Sequence, residues 1–384
     1  MLSKFIKAGI KIKTEADQYS LKNKLKVKAE VNIFPTENKG VDVKIPVGIL
    51  GATGSVGQQF IHLLRDHPFF EITALAASER SAGKTYREAV TWFLSTPMPD
   101  FVENMTVHAC EPNLPCRIVF SGLDASVAGP IETAFAREGY TVISNARNHR
   151  FDEDVPLVIP EVNSNHLELT KHQPYGKGCI ITNPNCSTIG LTLAIKPLVD
   201  AFGVEALHVV TFQALSGAGY PGVSSLDIID NVIPYISGEE EKIQKETKKI
   251  LGTLEDNHIQ PASIKVSAQC NRVAVIDGHL ECVSIKLKEI ASEADIIEAW
   301  RSFTAKPQEL ALPTAPLKPI HYFTDPAYPQ PKLHRNLDKG MAVSIGRLQK
   351  CPVLDYKFVL LSHNTIRGAA GTAILIGEMM NSEF

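Results

Sequence analysis

The segment that most narrows what this chain can fold into is Val47-Gly48-Ile49-Leu50, which runs straight into Gly51-Ala52-Thr53-Gly54-Ser55-Val56-Gly57. A short apolar run ends in a glycine-rich turn. Phe60, Ile61, Leu63 and Leu64 then recur at helical spacing until Arg65-Asp66-His67-Pro68 stops them. Strand, tight turn and helix in that order open a βαβ unit, which commits the chain to a parallel sheet with crossover helices. The alternation continues. Residues 71–77, 117–121 and 140–145 read as buried strands, with a helix over 125–138 between the last two. The expected fold is α/β, with a doubly wound parallel, Rossmann-type sheet.

From about residue 205 the texture changes. Residues 208–213, 263–268, 272–276, 280–287 and 356–361 are β-rich with few intervening helices, which predicts an α+β domain with a mixed or antiparallel sheet. Helices are expected over 187–202, 239–251 and 292–305. The proline-rich run 307–338 lacks periodicity and reads as a surface excursion, and 368–380 as a small-residue helix. The expected division is 1–44 as an N-terminal extension, 45–184 plus 363–384 as the dinucleotide domain, and 185–362 as the catalytic and dimerisation domain. Residues 1–14 hold Lys4, Lys7, Lys11 and Lys13, no acid, and apolar Leu2, Phe5, Ile6 and Ile10 at near-helical spacing. The extension is read as disordered or loosely attached, with organelle targeting as the alternative.

Bulk composition removes whole classes of function. A net charge of -3 supplies no basic field for nucleic acid, and no apolar run reaches the roughly 20 residues a membrane span needs. The seven cysteines form no CxxC pair and the twelve histidines no HExxH, so neither a disulfide framework nor a metal site is expected. An odd cysteine count in a chain this long suits a reducing compartment, and a cytoplasmic location is expected.

The glycine turn carries chemistry as well as topology. Between a strand and a helix, its backbone approaches a pyrophosphate while the helix N-terminus faces the charge. Gly51, Thr53, Gly54, Ser55, Val56 and Gly57 are the expected contacts, although GxxGxxG spacing alone also fits a turn that only packs. The second strand ends in Ala77-Ser78-Glu79-Arg80-Ser81. Two hydroxyls and an arginine there suit a 2′-phosphate, so Ser78, Arg80 and Ser81 point to NADP(H) rather than NAD.

The other reactive feature is Thr182-Asn183-Pro184-Asn185-Cys186-Ser187-Thr188. It reads as strand, turn and helix with a thiol at the helix N-terminus, where unpaired amides and the helix dipole favour a thiolate. The alternative is an inert buried cysteine. A thiol nucleophile beside a nicotinamide implies acyl or aldehyde chemistry, which needs a base and a carbonyl-orienting donor. Gln213 at a strand end, and Arg272 and His279 flanking a strand-like segment, are candidates.

Taken in order, GATGSVG, AASERSAGK, VPLVIPEVN, NPNCSTIGL, QALSGAG, RVAVIDGH and SHNTIRGAAG closely resemble the aspartate-semialdehyde dehydrogenase family over about residues 45–384. NPNCSTIGL is similar to its archaeal and fungal branch. The resemblance implies that Cys186 forms the acyl-enzyme, that Gln213 orients the substrate carbonyl, and that His279 is general acid/base. It implies that Arg272 binds the substrate carboxylate, Arg150 and Lys242 the phosphate, and Glu239 the amino group, with Glu240 and Glu241 leaving that register open. Asn364 and Thr365 would return to the nicotinamide. The implied reaction is NADPH-dependent reduction of L-aspartyl 4-phosphate to L-aspartate 4-semialdehyde, feeding lysine, methionine, threonine and isoleucine synthesis. The implied assembly is a homodimer or homotetramer. Rival readings are a malonyl-CoA reductase of the same thioacyl chemistry, and a nonenzymatic NADP-binding redox regulator.

Overall fold

The computed structural model describes residues 44–383; the expected extension, Lys44 apart, lies outside the described residues. Two six-stranded sheets carry the architecture.

The first sheet is parallel throughout. Strands β1 (Ile45–Leu50), β2 (Phe70–Ala77), β3 (Val107–Ala109), β4 (Ile118–Ser121), β5 (Thr141–Ser144) and β6 (Cys179–Thr182) lie in the order β3-β2-β1-β4-β5-β6. The order reverses direction between β1 and β4, and ligands of doubly wound sheets bind in the crevice at such a point. Helix α1 (Ser55–Leu64) follows β1, and α2 (Ala125–Arg137) crosses from β4 to β5. Asp124 caps α2 by accepting the Ser126 N–H at 2.8 Å. Strands β4, β5 and β6 and the last four residues of β1 and β2 are buried or nearly so on both faces, as the apolar runs required.

The second sheet is mixed, in the order β10-β7-β11-β14-β13-β12. Its strands are β7 (Val204–Gln213), β10 (Lys265–Arg272), β11 (His279–Leu287), β12 (Ile320–Phe323), β13 (Val343–Lys350) and β14 (Tyr356–Ser362). The small hairpin β8–β9 (Thr253–Glu255, His258–Gln260) stands apart. Strand β7 runs parallel to β10 and antiparallel to β11, so the ends of β7 and β10 meet the start of β11 at one edge of the sheet. Strand β14, antiparallel to β11, ends there too, with Ser362 opposite His279.

Helix α3 (Cys186–Phe202) joins the two sheets. It leaves the end of β6 and buries Leu191, Leu193, Ala194, Ile195 and Leu198 in the core of the second sheet, where Trp300 donates Nε1–H to the Ala194 carbonyl at 2.8 Å. Helix α4 (Glu239–Ile250) packs beside β10, and α5 (Glu293–Ser302) carries Trp300. After β14 the chain returns through a π-helical turn (Ile366–Ala370) to α6 (Gly371–Glu383), whose Ala373–Ile376 and Met379 fill the core of the first sheet.

Two expectations need correction. The β-rich run 272–276 is not a strand: β10 ends at Arg272, and an irregular link spans to His279. Its Val273 N–H still extends the ladder to the Gln213 carbonyl at 3.0 Å, which is why its β-formers misled. The run 307–338 is not wholly an excursion. It contains β12, paired in parallel with β13, and a four-residue strand is too short to show a period.

Candidate active site

Asn185 is the N-cap of α3, and its Oδ1 accepts the N–H groups of Ser187 and Thr188 at 3.0 and 3.3 Å. That cap places Cys186 at the first helical position, as the sequence predicts. Asn185 is also tied on its other side. Its backbone N–H donates to Glu246 at 2.6 Å and its Nδ2 to Glu239 at 2.8 Å, both on α4. The cysteine turn is therefore held by the first sheet behind it and by two carboxylates in front.

The converging edge of the second sheet supplies the rest. Gln213 is the last residue of β7, Arg272 the last of β10 and in register with it, and His279 the first of β11. His279 Nε2 lies 3.1 Å from Cys186 Sγ, and its Nδ1 accepts the Ala214 N–H at 3.0 Å. Arg272 donates to the Ala214 carbonyl at 2.7 Å. Gln213 Nε2 is within 3.4 Å of Glu239 Oε2. Cys186, Gln213, Arg272 and His279, separated by up to 93 residues of chain, form one cluster.

Helix α4 faces this cluster with Glu239, Lys242 and Glu246, the i, i+3, i+7 positions of one helix face. Glu239 is the buried member of its run and takes Lys242 Nζ at 2.6 Å. Glu241 is exposed, and Glu240 turns to the Cys270 N–H at 3.1 Å. Arg150 reaches the same place, donating to Glu246 at 2.8 Å and to the Asn145 carbonyl at 2.8 Å. Its Nε is buried without a partner, a cationic donor left for an anion. Sequence reasoning missed Glu246, although the seven-residue spacing from Glu239 marks it as facing the same way.

Electrostatics differ from the sequence expectation at the thiol. Burial, reinforced by the Glu239 carboxylate and opposed by Arg272 and Arg150, pushes the Cys186 thiol up from 9.0 to about 12. Without a substrate bound, Cys186 is a thiol rather than the thiolate its helical position favours. Burial, with help from Arg272 and His363, lowers His279 to about 3, so the imidazole is neutral. Burial alone would raise the Glu239 carboxyl, but Lys242, Asn185 and Gln213 together hold it below its ordinary value.

The glycine turn has the shape a dinucleotide requires. Gly51 sits at φ +73°, and a Cβ on Gly57 would fall 2.3 Å from the Gly51 carbonyl oxygen, so only glycine allows α1 to start this close to β1. Gly54 is the N-cap of α1 and offers no side-chain bond to its first amides, including those of Ser55 and Val56, which remain for a phosphate. Thr53 is half-buried in the same turn. At the end of β2, Ser78 and Arg80 are exposed and Ser81 is buried. Asn364 and Thr365 lie in the return segment. Asn364 takes the Gly278 N–H at 2.8 Å and donates to Ser216 at 2.8 Å, while Thr365 accepts from Gln59 of α1 at 3.1 Å. These two residues thus connect the loops around His279 to the helix of the glycine turn. Among the described residues, no three His, Cys, Asp or Glu side chains converge as metal ligands, and no helix is long and apolar enough to cross a membrane.

Comparison with known proteins fits both halves. Residues 46–170 match the family described as semialdehyde dehydrogenase, NAD binding domain, and residues 195–367 the semialdehyde dehydrogenase dimerisation domain. Aspartate-semialdehyde dehydrogenase of Schizosaccharomyces pombe is 50% identical over 345 residues, covering 87% of this chain and 97% of that one. That of Methanothermobacter thermautotrophicus is 48% identical, covering 88% and 99%. The crystal structure of the Candida albicans enzyme with NADP superposes with a TM-score of 0.83 at 47% identity, covering 88% of this chain and 99% of that one. The chain belongs to the aspartate-semialdehyde dehydrogenase family.

Proposed function

We propose that this chain reduces L-aspartyl 4-phosphate to L-aspartate 4-semialdehyde with NADPH, through a thioacyl intermediate on Cys186. The observation that carries the reading is the 3.1 Å approach of Cys186 Sγ to His279 Nε2 within a ring of Arg272, Arg150, Lys242 and Glu239. Charges of that kind match the substrate group by group. Arg272 offers a planar fork to the α-carboxylate, and Glu239 an anionic acceptor to the α-amino group. Arg150, with its unspent Nε–H, and Lys242 offer positive charge to the phosphate.

Cys186 adds to the acyl carbon and the phosphate leaves, while Gln213 orients the carbonyl and His279 acts as general acid/base. The bound nicotinamide supplies the hydride that reduces the acyl group. Gly51, Thr53, Gly54, Ser55, Val56 and Gly57 would hold the pyrophosphate, Ser78, Arg80 and Ser81 the 2′-phosphate, and Asn364 and Thr365 the nicotinamide side.

The protein would act as a homodimer or a dimer of dimers. The outward face of the second sheet supports this reading: Val210, Phe212, Leu280 and Val359 share it and are half-buried there.

The test is NADP reduction with aspartate semialdehyde and phosphate, on wild type and Cys186→Ala. Phosphate-dependent turnover that the alanine variant lacks is expected. Turnover that needs CoA instead of phosphate, or that survives the substitution, would contradict the proposal.

A further inference from the structure

A cavity of about 630 Å³ lies at the C-terminal end of α1, outside the catalytic cluster. Its walls are residues 62–68, the segment 313–317, residues 338, 339 and 341, and Ile366 and Gly371, which bracket the π-helical turn. Two of these walls are tied through one buried carboxylate. Glu378 of α6 lies 2.7 Å from His67 Nε2 and accepts the Thr314 N–H at 3.1 Å. Inside, Leu63, Ala315, Met341 and Ile366 give apolar surface continuous with the core of the first sheet.

The rim is charged, and most of that charge is engaged. Arg65 donates to the Pro97 carbonyl at 3.1 Å, and Asp338 lies 2.6 Å from His321 Nε2. Burial, then Arg65, lowers the His62 pKa, so that ring is neutral at pH 7. Among the described residues, Asp66 and Lys339 are exposed and have no side-chain partner. Their charges are opposite, and the C-terminal dipole of α1 adds negative potential on the Asp66 side.

The wall that carries Lys339 is strained. Asp338 and Lys339 sit at φ +47° and +58°, followed by Gly340 at +84°. Non-glycine residues pay for that left-handed backbone, and such strain collects at ligand clamps and switches. The same wall reaches the nucleophile through close backbone approaches. A Cβ on Gly340 would fall 3.0 Å from Ile366 Cδ1, at the start of the π-helical turn. Two residues on, a Cβ on Gly368 would fall 2.8 Å from Cys186 Cβ and 3.1 Å from its Cα. Packing this close passes a displacement along, and π-helical turns are frequent at functional sites.

We propose that this cavity binds a small α-amino acid with an apolar side chain, and that its occupancy is felt at Cys186 through the π-helical turn. The ammonium group meets Asp66 and the carboxylate meets Lys339, while the side chain enters the apolar interior. A filled cavity holds the turn in one position and so hinders opening around Cys186.

The test titrates the full chain, with NADP bound, with L-leucine by calorimetry. A Kd of about 1 mM or tighter is expected. Asp66→Asn and Lys339→Gln should each weaken binding about threefold, and together about tenfold, with kcat within about twofold of wild type. Isocaproate and isoamylamine, which each lack one of the two charges, should bind more weakly than L-leucine. Alkylation of Cys186 by iodoacetamide, followed on its own peptide, should slow at least about fivefold with L-leucine bound. Absence of binding, or equal binding of isocaproate, would overturn the site. Binding lost in Arg272→Ala would place the amino acid in the catalytic cluster and overturn it too. Binding with an unchanged alkylation rate would overturn the coupling to Cys186. The binding and alkylation readouts need no turnover, so failure of the thioacyl reading would leave them standing.

Discussion

At the scale of single residues, the contest over Cys186 is decided by magnitude. A helix N-terminus stabilises a nearby anion by about 0.3–1 kcal/mol. That is less than the ~1.4 kcal/mol of a tenfold change in ionisation, so it cannot offset burial that carries the thiol from 9.0 to about 12. The position of Cys186 was legible from NPNC, because strand, cap and helix are local. Its protonation state was not, because burial and the Glu239 carboxylate, which push the thiol up, come from packing of distant chain around the turn, and Arg272 and Arg150 only partly oppose them. The consequence is measurable. A raised thiol holds its proton through neutral pH, so alkylation of Cys186 in the free protein, followed on its own peptide by mass spectrometry, should keep accelerating above pH 9. A rate that levels off near pH 7 would mean a resting thiolate.

At the scale of elements, α4 shows what local reading misses. The run of glutamates at its start left the register open, and only packing against β10 and the Asn185 turn turns Glu239 inward. Glu246, one face-repeat later, joins Arg150 to the backbone of Asn185 and so couples the anion donor to the nucleophile turn. A hydrogen bond between charged groups contributes about 1.5–3 kcal/mol. Glu246→Gln should therefore raise the KM for phosphate about tenfold or more, and leave the KM for the aldehyde within about twofold. Equal loss on both substrates would show that Glu246 only supports the fold. The return segment after β14 was legible as SHNTIRGAAG, but its job was not. Arg367 makes a fully buried two-point ion pair with Glu161, at 2.8 and 2.6 Å, that pins this segment near the end of β6. Nothing in the spacing of residues 206 apart announces such a pair.

At the scale of the whole molecule, the alternation of strands and helices made the parallel sheet readable, since each βαβ unit writes its own period. The mixed sheet was readable only as texture, because its pairing joins strands far apart in sequence. The catalytic cluster exists only where β7, β10 and β11 meet α3. The outer face of that sheet predicts self-association: light scattering should give at least a dimer for the wild type, and Val210→Glu with Val359→Glu, both on that face, should lower the mass. A monomeric wild type would contradict the assembly. The central claim, a thioacyl bond on Cys186, has a more direct test. The protein is mixed with aspartate semialdehyde and NADP without phosphate, quenched in acid, and its peptides are weighed. The account predicts about one equivalent of NADPH per site, with a β-aspartyl thioester on the Cys186 peptide that added phosphate removes. NADPH formed with no adduct on Cys186, or an adduct that phosphate leaves in place, would contradict it.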